Sequence, residues 1–270
     1  MPTRKEAPVP ELFKHLSVGQ MAALFCLGSL GVTWLGVLLF QRLVHRWIHG
    51  RRNANEMIGL ILASFSTLYG ILLGLIAVEA YQDFSAVGDV VSKEALAIAA
   101  LHQDFEGFPQ PTRGELQEKL RAYAREAIDA VHPPPDVAQN PHSSSPALTG
   151  LFAQVMSFQA KLKSEEIVQA ETFTRLNTLV EHRRYLIAAG DGGIPKELWW
   201  VVCLGGFLLI GLLCIFDMEL HVHLILSSAM ALFMGSVVFL IAALDNPFNG
   251  GLTVDSAPIE AVLQTFPMVR

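Results

Sequence analysis

The chain has 270 residues, of which 52% are hydrophobic and only 16% charged, against roughly 25% charged in an ordinary globular protein. The formal net charge is −6 and the mean hydropathy is +0.42. This composition excludes a soluble globular protein, and the acidic balance argues against a nucleic-acid partner.

In chain order, residues 1–15 read as an N-terminal tail carrying Arg4, Lys5 and Lys14. An uncharged apolar run follows from Leu16 to Gln41. It is longer than the core of a signal peptide and reads as a retained membrane span. A short loop with Arg42, Arg46, Arg51 and Arg52 leads to a second span, Met57–Val78, bounded by Glu56 and Glu79. Two more runs near the C-terminus, Leu198–Phe216 and Leu224–Leu244, also reach the roughly 20 apolar residues that cross a bilayer as a helix. Trp47 and the pair Trp199-Trp200 sit at span ends, where amphipathic rings favour the interface. The arginines of the first loop favour a cytoplasmic side for that loop, which would put both termini and the long insert outside.

The second span does not stop as a helix at Glu79. Phe84, Val87, Val91, Ile98, Leu101 and Phe105 continue at three- and four-residue spacing, and no proline occurs before Pro109. The spacing predicts one helix from about Asn55 to about Phe105. Thr112-Arg113-Gly114-Glu115 fits a capping box that opens an amphipathic helix with Leu116, Leu120, Tyr123, Ala127, Ile128 and Val131 on one face. The segment 133–146, rich in Pro, Ser and Asn, reads as a mobile loop. A long helix is expected from Pro146 to Ala189, with Leu148, Leu151, Phe152, Val155, Phe158, Leu162, Phe173 and Val180 as its apolar stripe. These helices should pack as a bundle, either among themselves or partly against a neighbouring subunit. Gly190-Asp191-Gly192-Gly193 ends the last one, and Pro195 suits the first turn of the third span.

The fold class expected is therefore all-α: an integral membrane protein with four spans and a helical extramembrane region between spans two and three. The domain plan is a tail (1–15), spans one and two (16–80), the extramembrane region (81–195), spans three and four (196–245) and a C-terminal tail (246–270).

Within span two, Thr67, Ile71, Leu75 and Glu79 share one face at four-residue spacing. An apolar stripe with a carboxylate at its end can line and gate a pore. The same residues could instead face lipid or another helix of the same chain. Beside them Gly70-xxx-Gly74 permits close helix contact and reads as helix packing. Ser64-Phe65-Ser66-Thr67 is a polar patch able to hydrogen-bond across helices. Asp217-x-Glu219-x-His221-x-His223 has metal-capable side chains, yet a polar turn is the better reading, and no metal is expected. Glu181-His182-Arg183-Arg184 reads as a charged helix face. Cys26, Cys203 and Cys214 lie in apolar runs and read as small buried hydrophobes. No phosphate-binding glycine loop, Gly-x-Ser-x-Gly, His-Glu-x-x-His or Cys-x-x-Cys occurs, so neither a catalytic residue nor a cofactor is expected.

Two segments carry a family likeness. One is Leu72-Leu73-Gly74-Leu75-Ile76-Ala77-Val78-Glu79-Ala80-Tyr81-Gln82-Asp83-Phe84; the other is Asp245-Asn246-Pro247-Phe248-Asn249-Gly250-Gly251 after span four. The chain thereby resembles the bestrophin-like domain family of bacterial membrane proteins and, more distantly, the bestrophin channels. The resemblance implies a homo-oligomer, a pentamer, in a bacterial inner membrane, with span two lining a central ion pathway at Thr67, Ile71 and Leu75. It also marks Asn246, Pro247 and Phe248 as the segment after span four. Gln82 and Asp83 depart from the basic or aromatic residues of bestrophins, and the acidic cluster of calcium-gated members is missing after Gly251. The insert of bestrophins is cytoplasmic, which opposes the orientation that the arginines favour. The alternative function is a membrane-anchored interaction or stress-sensing module whose helical insert binds a partner. A lipid-modifying enzyme would rest on the Asp217–His223 group alone.

Overall fold

The computed structural model describes residues 17–48, 54–131, 145–190, 192–245, 247–248 and 252–266, with side chains of the first helix described as far as Phe40. The N-terminal tail, Arg42, Arg46, Arg51, Arg52, Trp47, the loop 133–144, Asn246 and Asn249–Gly251 therefore lie outside the described residues or side chains. Eight α-helices occur among the described residues: α1 (Val18–Ile48), α2 (Ala54–Asp104), α3 (Thr112–Val131), α4 (Pro146–Ser157), α5 (Lys163–Gly190), α6 (Lys196–Cys214), α7 (Leu220–Leu244) and α8 (Ala257–Thr265). A 3₁₀ turn, Phe105–Gly107, follows α2. No strand occurs among the described residues.

Four of these helices, α1, α2, α6 and α7, are long and apolar enough to cross a membrane. At 51 residues α2 far exceeds the roughly 20 that a bilayer needs. Its apolar run ends at Val78, yet the helix continues unbroken to Asp104, as its periodicity predicts.

The chain forms two compact units. The first holds α1, α2 as far as Phe84, α6 and α7. Helix α1 lies against α7 and α6. It comes so near α7 at Gly235 that an added Cβ there would sit 2.5 Å from Ser29 Oγ and 2.8 Å from the Phe25 carbonyl oxygen. The Ser29 hydroxyl donates to the Ala231 carbonyl at 2.8 Å, and Trp34 Nε1 donates to Ser228 Oγ at 2.8 Å. Interhelical bonds of this kind and small-residue contacts hold helices together where lipid removes the hydrophobic driving force. Helix α2 joins through Tyr69, Leu73 and Ile76, which pack with Val202 and Leu209 of α6 and Met234 and Ile241 of α7.

Both ends of this unit are tied by side chains to backbone. Asn55 Nδ2 donates to the Asp217 carbonyl at 2.7 Å, and the Asp217 N–H returns a bond to Asn55 Oδ1 at 3.2 Å. At the other end Asp245, buried just after α7, accepts from the Ile194 N–H at 2.5 Å and from Trp199 Nε1 at 3.3 Å. Pro195 is the N-cap of α6.

The second unit holds α2 from Ser85 onward, α3, α4, α5 and α8. Val87, Val91, Ile98, Leu101 and Phe105 are buried, as are Leu116, Leu120, Tyr123, Ala127 and Val131 of α3. The N–H of Glu115, which a capping box would give to Thr112, donates to the Pro111 carbonyl at 3.3 Å instead.

One expected element is corrected. The long helix from Pro146 to Ala189 is two helices, parted at Phe158–Leu162. No glycine or proline makes this break; side chains do. Glu165 accepts from the N–H groups of Lys161 and Leu162 at 2.7 and 3.1 Å, which caps the start of α5. Gln169 Nε2 donates to the carbonyls of Val155 and Phe158 at 2.8 and 3.1 Å, covering the end of α4. The Phe158 ring packs edge-on against Phe108, centroids 5.0 Å apart. Leu162 is consequently exposed, and the buried stripe of α5 is Thr172, Leu176, Leu179 and Leu186, with Phe173 and Val180 only half-buried. Helix α8 forms within the segment expected to be a tail. Pro258 falls in its first turn, and the Ser256 hydroxyl donates to Glu260 at 2.6 Å.

Candidate functional site: the open face of span two

Span two has one packed face and one open face. Tyr69, Leu73, Ile76 and Ala80 are buried. The side chains of Thr67, Ile71, Leu75 and Glu79 all lie on the opposite side and are exposed, Ile71 at 58% and Leu75 at 66%. The i, i+4 register of an α-helix keeps these four in one row. Within the described chain they do not face another helix, which removes one of the readings open from sequence. Gly70 and Gly74 belong to the open side too, and nothing lies within 4 Å of a Cβ added at either. Their small-residue strip is not used for packing within the described chain.

Two hydroxyls of the Ser64–Thr67 patch are satisfied locally. Ser64 Oγ donates to the Leu60 carbonyl at 2.9 Å, and Thr67 Oγ1 to the Ala63 carbonyl at 2.8 Å. Ser64 and Thr67 thus turn back on their own helix, where sequence allowed them to bond across helices. A row of Thr67, Ile71 and Leu75 therefore presents methyl groups rather than unpaired polar atoms, with the Glu79 carboxylate at its end. Chemically it is an exposed apolar strip with a carboxyl side chain at its end.

The polar turn Asp217–His223 does not gather into a site. Glu219 and His221 pair at 3.3 Å on the surface. His223 is buried and its Nε2 lies 3.0 Å from the Leu213 carbonyl, whereas the Asp217 backbone bonds Asn55. No group of three His, Cys, Asp or Glu able to hold a metal ion occurs among the described residues. Pro247 and Phe248 are half-buried beyond Asp245, the residue that ties the end of α7 to the start of α6.

The second unit holds one polar pair that sequence reasoning missed. Glu94 of α2 and Tyr123 of α3 are completely buried, and the Tyr123 hydroxyl donates to Glu94 Oε1. Burial pushes the Glu94 carboxyl above its ordinary range, against the pull of Arg183, the Tyr123 bond and His182. Burial also pushes the Tyr123 phenol well up, helped by the neighbouring Glu94. The signal was present: Glu94 interrupts the stripe Val87, Val91, Ile98, Leu101 at a position where helical spacing demands burial. His182 and Arg183, expected on a charged outer face, are partly buried and act on this carboxyl, while Glu181 and Arg184 are exposed.

No curated protein matches the chain. Among solved structures, the crystal structure of a membrane protein is similar in fold, with a TM-score of 0.65 at 13% identity over 88% of this chain and 96% of that one. The model of the Bestrophin-like domain matches residues 28–259, from the first span through the start of α8. Four membrane helices, the second of them continuing beyond its apolar run, a helical extramembrane unit and that match over most of the chain lead to one conclusion: this multi-pass membrane protein belongs to the Bestrophin-like family.

Proposed function

We propose that the chain is a subunit of a bestrophin-like homo-oligomeric ion channel of the bacterial inner membrane, and not an enzyme. Span two lines the central pathway, with Thr67, Ile71 and Leu75 as its apolar neck and Glu79 at one mouth. A pentamer is the assembly that family resemblance implies. The supporting observation is the asymmetry of span two: its Tyr69–Leu73–Ile76 face is packed, and the Thr67–Ile71–Leu75–Glu79 face is left open beside an unoccupied Gly70/Gly74 strip. In a closed ring the glycine strip admits the neighbouring subunit's helix and the apolar row faces the axis. Such a row gates by dewetting, and a ring of Glu79 favours cations.

Reconstitution into liposomes with ion-flux measurement tests this. The expected result is flux that increases with Ile71→Ala and Leu75→Ala, and a cation preference that weakens with Glu79→Gln. A monomeric or dimeric particle in mild detergent, or flux indifferent to widening, would sink the reading.

A second reading is a membrane-anchored interaction module whose helical insert binds a partner. It is favoured by the exposed Leu96, Met156, Leu162 and Ile167 of the second unit. Under it, deletion of α4 and α5 abolishes function while span-two substitutions do not.

A further inference from the structure

We infer that Glu94 is a proton-operated latch of the second unit: neutral and buried while α2 and α3 are closed on one another, and opening their seam when it ionises. The geometry carries this. Glu94 has no exposed surface, its Oε1 accepts the Tyr123 hydroxyl, and its Oε2 has no hydrogen-bond partner among the described residues. An ionised carboxylate offers about four acceptor sites and here would fill one. No ion pair with a described residue reaches it, although Arg183 and His182 of α5 act on it through space. A buried charge without its own pair is far costlier than a buried neutral acid with one unpaired hydroxyl, so the closed unit selects the neutral form.

The groups around it are few. Tyr123 and Glu126 stand on α3, with Glu126 acting on Tyr123 and accepting the Ser145 hydroxyl. His182 and Arg183 stand on α5. Helix α4 has no ionisable side chain, and Glu260 of α8 is taken up by Ser256. Arg183 and His182 narrow the pH window without closing it, because burial is the largest influence on the carboxyl.

The sign follows from linkage. A carboxyl bound more tightly by protons in the closed state stabilises that state fully below the ordinary carboxylate pKa. The contribution is lost as pH rises through the raised value, because the open state holds fewer protons. Glu94 lies on the same continuous helix as span two, so the latch acts on an element of the proposed pathway. It stands whether or not the chain conducts.

Hydrogen exchange on the full chain in detergent, followed for α3 amides between about pH 5 and 9, tests the latch. After correction for intrinsic exchange, protection should fall about tenfold per pH unit across the window, the signature of one proton released on opening. In Glu94→Gln protection should be flat and should exceed that of the wild type at high pH. Protection flat in the wild type overturns the proposal, since opening would then release no proton, and so does protection lower in Glu94→Gln than in the wild type at high pH, which makes the ionised carboxylate a stabilising partner of Arg183. If the variant does not fold, infrared spectroscopy of the wild type decides. A protonated-carboxyl band should persist above about pH 6, where ordinary carboxyls have ionised, and disappear at the upper end of the pH range over which α3 protection falls. Absence of that band, or its loss without change in protection, also overturns it.

Discussion

The ring of Tyr69 lies directly on Gly205: a Cβ there would overlap Cε2 of the ring, and the Tyr69 hydroxyl donates to the Val202 carbonyl at 2.6 Å. Span two is thus seated on the third span by one aromatic residue in a glycine-sized recess. Gly205→Ala is expected to destabilise the protein by about 1–3 kcal/mol, the usual cost of overpacking. Gly211→Ala is its control on the same helix, since nothing lies within 4 Å of a Cβ there. The control should be neutral or stabilising by about 1 kcal/mol through helix propensity. Thermal unfolding of both variants in detergent checks the opposite signs.

The open strip of span two makes a different prediction. Gly74→Leu replaces a glycine whose added Cβ would meet no atom of the same chain, so the single subunit should keep its helical content and its internal packing. If that strip receives a neighbouring copy, the variant should lose the oligomer. Light scattering and native mass spectrometry in mild detergent read this directly. An unchanged particle mass would place the subunit contact elsewhere.

Asp245 ties the end of the fourth span to the start of the third through Ile194 and Trp199. Asp245→Ala leaves two donors without their acceptor, and an unsatisfied buried donor costs about 1–3 kcal/mol. A fall in the midpoint of thermal unfolding is expected. Asp245→Asn, which keeps one carbonyl acceptor, should fall less.

The break between α4 and α5 rests on two side chains. Gln169→Ala uncovers the carbonyls of Val155 and Phe158, and Glu165→Ala uncovers the N–H groups of Lys161 and Leu162. Each should cost about 1 kcal/mol, the typical worth of a cap. Faster hydrogen exchange confined to the break and the helix ends beside it would show that the effect is local.

Tyr123→Phe removes the one bond that favours ionised Glu94. The carboxyl should then hold its proton to still higher pH. Relative to wild type, the pH at which α3 protection stops falling should move up, although the variant is less stable at every pH. A downward move would mean that the hydroxyl does not donate to the carboxylate.

Periodicity made most of the helices legible. Val87, Val91, Ile98, Leu101 and Phe105 repeat without a proline, so α2 was readable almost to its last residue. The division into α4 and α5 was not, because Phe158–Leu162 holds no helix breaker and its break comes from Glu165, Gln169 and Phe108 acting from elsewhere. Helix α8 was hidden by its nine-residue length, too short for a periodic signal to stand out. In the candidate site, the row Thr67–Ile71–Leu75–Glu79 was visible as spacing, but spacing alone does not say which side of a helix is covered.

Apolar runs of bilayer length were enough to define a four-span helical membrane protein, because such runs admit few other structures and helices satisfy their own backbones. Two short segments of the same sequence carried the family likeness. Which face of span two is packed was settled by the folded chain instead. That choice depends on Tyr69 finding its recess at Gly205, far away in the sequence. Folding also buried Glu94 against Tyr123, a pairing that two helices make together and neither encodes alone.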